Sequence, residues 1–176
     1  MKLFVLAITL FANFQTFASP LPLTSTSTLN QLQSGIVLSQ LGFKVQNFPA
    51  NWELKKNTDP ESKSIDMGPL EKNSKAILSF KTDTVSVKTD LEKYVRQYLR
   101  DYNQYGFEVT GLQSLKQTPL NSVIVDLNQK NKASRSRQVF YKKDDKIVTA
   151  TCIDDFEAFG KTIQTCNSIL QTFQWR

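Results

Sequence analysis

The alternation of apolar and polar residues in the last third of the chain predicts a β-hairpin. Residues 139–141 and 147–152 are β-branched and aromatic runs on either side of a charged turn, and two such runs around a short polar turn are typical of paired antiparallel strands. Alternate residues of a strand point to opposite faces. The predicted buried face of the second strand carries Val148, Ala150 and Cys152.

After residue 152 the apolar spacing changes to steps of three and four, which predicts a closing helix. Asp154 is the predicted N-cap of this helix, with Glu157 three residues later. We expect its apolar stripe to pack back on the sheet. The stripe consists of Phe156, Phe159, Ile163, Cys166, Leu170 and Phe173.

Upstream patterns predict further strands and one more helix. The predicted strands cover residues 36–38, 43–48, 52–55, 76–80, 107–115 and 122–128, and the polar stretches 57–69 and 128–136 are predicted loops. Thr89 and Glu92 form a capping box at the helix start, and Gly106 is a natural stop at its end. Gly111 is a predicted bulge. The stripe of this helix consists of Leu91, Val95, Tyr98, Leu99 and Tyr102.

Together these elements favour a mainly antiparallel sheet with two main helices packed on it, which is an α+β fold. Residues 35–176 have a length typical of one domain. Residues 19–34 are rich in serine, threonine and proline and are predicted to form a flexible leader.

Residues 1–18 have the composition of a secretory signal peptide. Lys2 precedes an apolar run of about ten residues, which is shorter than the roughly 20 residues that a membrane span requires. Small residues precede a predicted cut before Ser19, and the residue directly after the cut is not a cysteine. We therefore expect an exported protein, periplasmic or secreted, which is not a lipoprotein and has no transmembrane segment in its mature chain.

The chain contains no histidine. This excludes a Ser-His-Asp triad, a Cys-His pair and a histidine zinc site. We therefore expect no enzymatic activity, no bound metal and no cofactor.

The two cysteines of an exported chain suggest one disulfide, between Cys152 and Cys166. Both lie on apolar faces of neighbouring elements. A helix that starts directly after Asp154 would, however, place Cys166 roughly 16 Å along it, whereas a bridge needs Cα atoms within about 7 Å. A later helix start would allow the bridge, and two buried free thiols are the alternative.

Lysine and arginine outnumber aspartate and glutamate 22 to 16, which favours acidic partners. A candidate surface for such a partner is the basic group Lys130, Lys132, Arg135, Arg137, Lys142 and Lys143. The alternative is that these are solvated loop and turn residues, diluted by Asp144 and Asp145.

Four tyrosines near Arg96 and Arg100 form a second candidate, an aromatic contact edge. The alternative is that they border the core with their hydroxyl groups in water. The edge consists of Tyr94, Tyr98, Tyr102 and Tyr105.

The pattern as a whole resembles the PsbP-like and DcrB-like family of exported domains. The likeness lies in the Phe-Pro-Ala-Asn-Trp turn at 48–52, the helix from Thr89, the late hairpin at 137–141 and 146–152, and the helix end at 169–173. This resemblance implies an α/β/α sandwich on an antiparallel sheet, and an accessory or binding role.

We therefore expect an accessory or interaction protein of the cell envelope, whose partner is an envelope protein or an acidic surface and not a nucleic acid. A carrier of a small ligand or lipid, with a pocket between helix and sheet lined by Tyr98, Tyr102 and Phe140, is the first alternative. A histidine-free hydrolase is the second.

Overall fold

The structure, a computed structural model, describes residues 41–55, 64–117 and 120–176. This part of the chain forms nine strands and two helices. In chain order they are β1 (Phe43–Lys44), β2 (Trp52–Lys55), β3 (Ser64–Pro69), β4 (Ile77–Thr84), α1 (Leu91–Leu99), β5 (Phe107–Gln117), β6 (Leu120–Gln129), β7 (Ser134–Lys143), β8 (Lys146–Asp155), α2 (Phe159–Leu170) and β9 (Gln174–Trp175).

Seven strands form one antiparallel sheet in the order β2-β3-β4-β8-β7-β6-β5. The two short strands β1 and β9 pair separately. The predicted α+β class and antiparallel sheet are confirmed. The predicted bulge is also present, because the β5–β6 register shifts between Val109 and Gly111.

The helices lie on opposite faces of this sheet. Val139 and Phe140 are consecutive residues of β7, and both are buried. Val139 belongs to the core under α2, whereas Phe140 packs with Leu91 and Val95 of α1. Burial on both faces is what a strand between two helical layers requires, so the α/β/α sandwich is confirmed.

Helix α1 buries Leu91, Val95 and Leu99, as predicted. The rest of the predicted stripe is wrong, because Tyr98 is 36% exposed and Tyr102 lies beyond the helix, which ends at Leu99 and not at the predicted stop Gly106. Its N-cap is Asp90 and not Thr89, since the Asp90 carboxylate accepts a hydrogen bond from the backbone N–H of Lys93 at 2.8 Å. The expected capping box is therefore wrong by one residue.

Helix α2 begins at Phe159, four residues later than an Asp154 cap would place it. Asp154 is the penultimate residue of β8, where its carboxylate accepts hydrogen bonds from the Thr162 hydroxyl and the Asp155 backbone N–H. The N-cap is Ala158, which makes no side-chain cap hydrogen bond. The prediction failed because Asp154 continues the β8 ladder with Arg135 of β7.

The helix also ends at Leu170, before the last predicted stripe residue. Phe173 instead leads into β9 and stacks on Tyr141 with ring centroids 3.9 Å apart, and on Phe43 at 5.2 Å. This aromatic cluster anchors the β1–β9 pair under the α2 side of the sheet.

Three stretches differ from their predicted state. Strand β3 lies inside the predicted loop 57–69, because pairing with β2 and β4 outweighs its polar composition. Strand β7 begins at Ser134, inside the predicted loop 128–136. The strand expected over 43–48 is limited to Phe43–Lys44. The predicted strand 36–38, the leader and the signal peptide lie outside the described residues.

Within the described ranges, no helix is both long and apolar enough to cross a membrane.

Candidate functional site

A disulfide joins the last long strand to the last helix. Cys152 of β8 and Cys166 of α2 are bonded, with their Cα atoms 6.3 Å apart, and both are fully buried. The late start of α2 removes the distance objection, because Cys166 then lies only about two turns from the helix start.

Three of the four predicted tyrosines form a continuous row beside α1. The ring centroids of Tyr94 and Tyr98 are 6.3 Å apart, and those of Tyr98 and Tyr102 are 5.5 Å apart. The Tyr102 hydroxyl donates to the Tyr98 hydroxyl at 3.0 Å. Tyr105 lies beyond this row and is 73% exposed.

The row is tied to the sheet at both ends. The Tyr94 hydroxyl donates to the Asp83 carboxylate at 3.3 Å, and the Gln138 amide donates to the Tyr102 hydroxyl at 3.1 Å. Burial, and secondarily the Asp83 charge, raises the pKa of Tyr94 to about 12. Burial also raises the pKa of Tyr98, with a further contribution from its hydrogen bond with Tyr102.

A groove of about 370 Å³, the α1-side groove, opens where α1 ends. Its walls and floor come from the segment after α1 and from four strands, β5 to β8. Its lining residues are Tyr102, Tyr105, Phe107, Leu127, Ser136, Gln138, Thr151 and Ile153. Gln138 is 5% exposed, and its amide oxygen has no hydrogen-bond partner in the described structure.

A second groove of about 410 Å³, the α2-side groove, lies between α2 and strands β5 to β7. Among the described residues that line it, Arg137 carries the charge. The guanidinium of Arg137 is bonded to the Asp126 carboxylate at 2.7 and 3.0 Å. This hydrogen bonding, more than the attraction between the charges, raises the pKa of Arg137.

The six residues of the predicted basic group do not lie on one surface. Lys130 and Lys132 lie at the β6–β7 turn, and Lys142 and Lys143 lie at the far end of β7. A ten-residue strand separates these ends by roughly 30 Å.

The two arginines of the group are engaged between those ends. Arg135 lies over the rings of Phe156 and Phe159 and donates to Asn128, and Arg137 holds Asp126. Lys146 and Arg176 lie at the Lys142–Lys143 end, where they line a surface depression with Lys143.

Sequence reasoning missed the polar floor of the α1-side groove. Ser136 and Gln138 alternate along β7, and Thr151 pairs with Gln138 across β7 and β8. Ser136 lies in the predicted loop 128–136, and Gln138 lies between that loop and the predicted strand 139–141, so the polar face of β7 was not recognised.

Among the described residues, no group of three or more His, Cys, Asp or Glu side chains is arranged to hold a metal ion.

No family model matches the chain, and no curated protein matches it. Among solved structures, that of CyanoP, the cyanobacterial PsbP of Synechocystis sp. PCC 6803, is similar over 78% of this chain and 89% of that chain, with a TM-score of 0.60 and 9% identity. LpqN of Mycobacterium tuberculosis, described as involved in cell envelope biogenesis, is similar over 75% of this chain and 83% of that chain, with a TM-score of 0.56 and 11% identity. At these identities the likeness concerns the fold.

Proposed function

The chain has a PsbP-like fold, and from that premise we propose that it is an exported, non-catalytic accessory protein of the cell envelope that binds a partner with an acidic surface. LpqN, which shares the fold, is described as involved in cell envelope biogenesis. The observation that carries the proposal is the cationic end of the β7–β8 hairpin.

Export is supported by two independent features. Residues 1–18 have the composition of a signal peptide. The Cys152–Cys166 disulfide belongs to an oxidising compartment, because cytosolic thiols are kept reduced.

A binding role is favoured over catalysis by the state of the reactive groups. The chain has no histidine, so histidine-dependent acid–base chemistry is excluded. Both cysteines are consumed by the disulfide. The carboxylate next to the α2-side groove, Asp126, is neutralised by Arg137.

The cationic hairpin end consists of Lys142, Lys143, Lys146 and Arg176. Three of these residues, Lys143, Lys146 and Arg176, line a depression of about 240 Å³ together with Asp144 and Asp145. None of the four forms an ion pair with another described residue. Lys142 donates to the backbone carbonyl oxygens of Val87 and Asp144, and Lys143 donates to the main-chain oxygen of Arg176. The carbonyl acceptors of Lys142 carry no charge, so its charge is available to a partner.

The test is a cross-linked pull-down of the tagged full chain from the envelope of its own cells. The variant Lys142→Glu/Lys143→Glu should lose the captured partner. The matched control Lys130→Glu/Lys132→Glu makes the same change in net charge at the opposite end of β7 and should retain it. Equal loss of the partner in both variants would mean that net charge alone explains binding. Equal retention in both would show that the hairpin end is not the binding surface.

A further inference from the structure

We propose that the α1-side groove is a binding site for a neutral, mainly apolar small molecule that carries a hydrogen-bond donor, such as a hydroxyl group on a ring. The site is independent of the cationic hairpin end. Ser136 lies near the start of β7 and Gln138 near its middle, whereas the β7–β8 turn follows the last residue of the strand, Lys143. Failure of one proposal therefore does not affect the other.

The need for a donor follows from Gln138. This residue lines the groove and is only 5% exposed. Its amide oxygen has no hydrogen-bond partner among the described residues. A buried acceptor without a hydrogen bond is costly. A ligand that donates a hydrogen bond to this oxygen would remove that cost.

The hydrogen bond between Gln138 and the tyrosine row indicates which end of the amide is free. The Gln138 amide nitrogen donates to the Tyr102 hydroxyl at 3.1 Å. The amide oxygen is left for a ligand, so the ligand must be a donor.

The lining residues set the charge and polarity of the ligand. None of them is ionisable at neutral pH, since they are aromatic, aliphatic, hydroxyl or amide side chains. A charged ligand would lose its hydration without gaining a counter-ion. The surroundings of the single amide oxygen are mainly apolar, which favours a molecule with one donor on an apolar body.

The size and shape of the groove favour a ring system. Its volume of about 370 Å³ lies at the lower end of the range for small-molecule sites. Tyr102 and Phe107 form one aromatic wall, with ring centroids 5.9 Å apart. The exposed ring of Tyr105 stands at the rim, where it can cover one face of a bound ring.

The α2-side groove is the weaker candidate. Its charged donor, Arg137, is already bonded to Asp126 through two of its nitrogens. A ligand there would compete with Asp126 for the Arg137 guanidinium. A ligand at Gln138 would donate a hydrogen bond to an amide oxygen that has no partner.

The test uses two probes, 2-naphthol and its methyl ether 2-methoxynaphthalene, which lacks the donor. Each is titrated into the full chain and followed by protein NMR. We expect 2-naphthol to bind roughly five- to tenfold more tightly, which is the usual net value of one hydrogen bond. Its largest shift changes should fall on Gln138 and Thr151. Equal affinities of the two probes, or shift changes outside the groove, would overturn the proposal.

Two variants complete the experiment. Gln138→Met keeps a similar volume but removes the amide, and should abolish the preference for 2-naphthol. Tyr105→Ala changes an exposed side chain that does not stabilise the core, and should weaken both probes several-fold. The control is Val87→Ala, which should leave both affinities unchanged. Val87 is 64% exposed and lies at the opposite end of the sheet. Unaltered binding to Tyr105→Ala would contradict the site even if Gln138→Met fails to fold.

Discussion

Arg137 of β7 holds Asp126 of β6 through two parallel hydrogen bonds, Nε to Oδ1 at 2.7 Å and Nη2 to Oδ2 at 3.0 Å. The two residues are direct cross-strand partners on the α2 side of the sheet. Their side chains are each about one-third exposed. Two parallel bonds between a guanidinium and a carboxylate are stronger than a single contact between surface charges.

This geometry predicts measurable coupling between Arg137 and Asp126. In a double-mutant cycle with Arg137→Met and Asp126→Asn, the free energy of unfolding should show a coupling of about 1 kcal/mol after allowance for solvent screening. The pair Arg100–Asp101 makes the same two parallel hydrogen bonds, at 3.0 and 3.2 Å, but its side chains are 72% and 44% exposed. It is therefore the control for solvent screening, and the same cycle there should show a smaller coupling. Urea denaturation gives both values, and equal coupling in the two pairs would contradict the prediction.

The sequence predicted the elements whose signals are local. Helix α1 was recognisable from the spacing of Leu91, Val95 and Leu99, and the β7–β8 hairpin from two runs around a charged turn. Strand β3 was not recognisable, because its state depends on pairing with two strands distant in the chain. The predicted start of α2 was wrong for the same reason, because Asp154 pairs with Arg135 of β7 as part of β8 instead of capping the helix.

The candidate sites could be predicted only in part. The tyrosine row followed from helical spacing, since Tyr94, Tyr98 and Tyr102 recur every four residues. The α1-side groove could not be predicted, because Gln138 reaches Tyr102 across 36 positions of sequence. The basic residues are close in sequence but lie at opposite ends of β7. The local sequence pattern did not predict how long this strand is.

The disulfide should contribute strongly to stability. Closing a loop of 14 positions between Cys152 and Cys166 removes chain entropy from the unfolded state, which is worth about 3 kcal/mol. Cys152→Ser/Cys166→Ser should therefore lower the free energy of unfolding by about that amount. Urea denaturation of the wild type with reductant is the control and should give nearly the same loss. A variant as stable as the oxidised wild type would rule out this role.

Two glycines should respond in opposite directions to alanine. A Cβ at Gly68 of β3 would lie 2.6 Å from the Ala76 backbone oxygen, so Gly68→Ala must displace backbone. We expect a loss of about 1–3 kcal/mol, as for other overpacked buried sites. A Cβ at Gly160 of α2 would meet no atom within 4 Å, so Gly160→Ala should stabilise the protein by about 0.5–1 kcal/mol. Thermal and urea denaturation measure both, and the same sign for the two changes would contradict the packing described.

Stability should fall steeply with alkaline pH because of the tyrosine row. Burial, with the Asp83 charge as a second cause, raises the pKa of Tyr94 from 10.0 to about 12. The unfolded chain therefore releases this proton at a lower pH than the folded chain does. The stabilisation is complete below pH 10 and is lost as the pH rises toward 12.

Tyr94→Phe tests this pH dependence. The free energy of unfolding, measured by urea denaturation at successive pH values between 10 and 12, should decline less steeply for the variant than for the wild type. Part of the decline should remain, because burial also raises the pKa of Tyr98 and of Tyr141. Asp83→Asn keeps the Tyr94 proton but removes the neighbouring charge, so it should produce a smaller reduction in slope. An identical slope for Tyr94→Phe and the wild type would show that Tyr94 does not titrate differently in the folded and unfolded states.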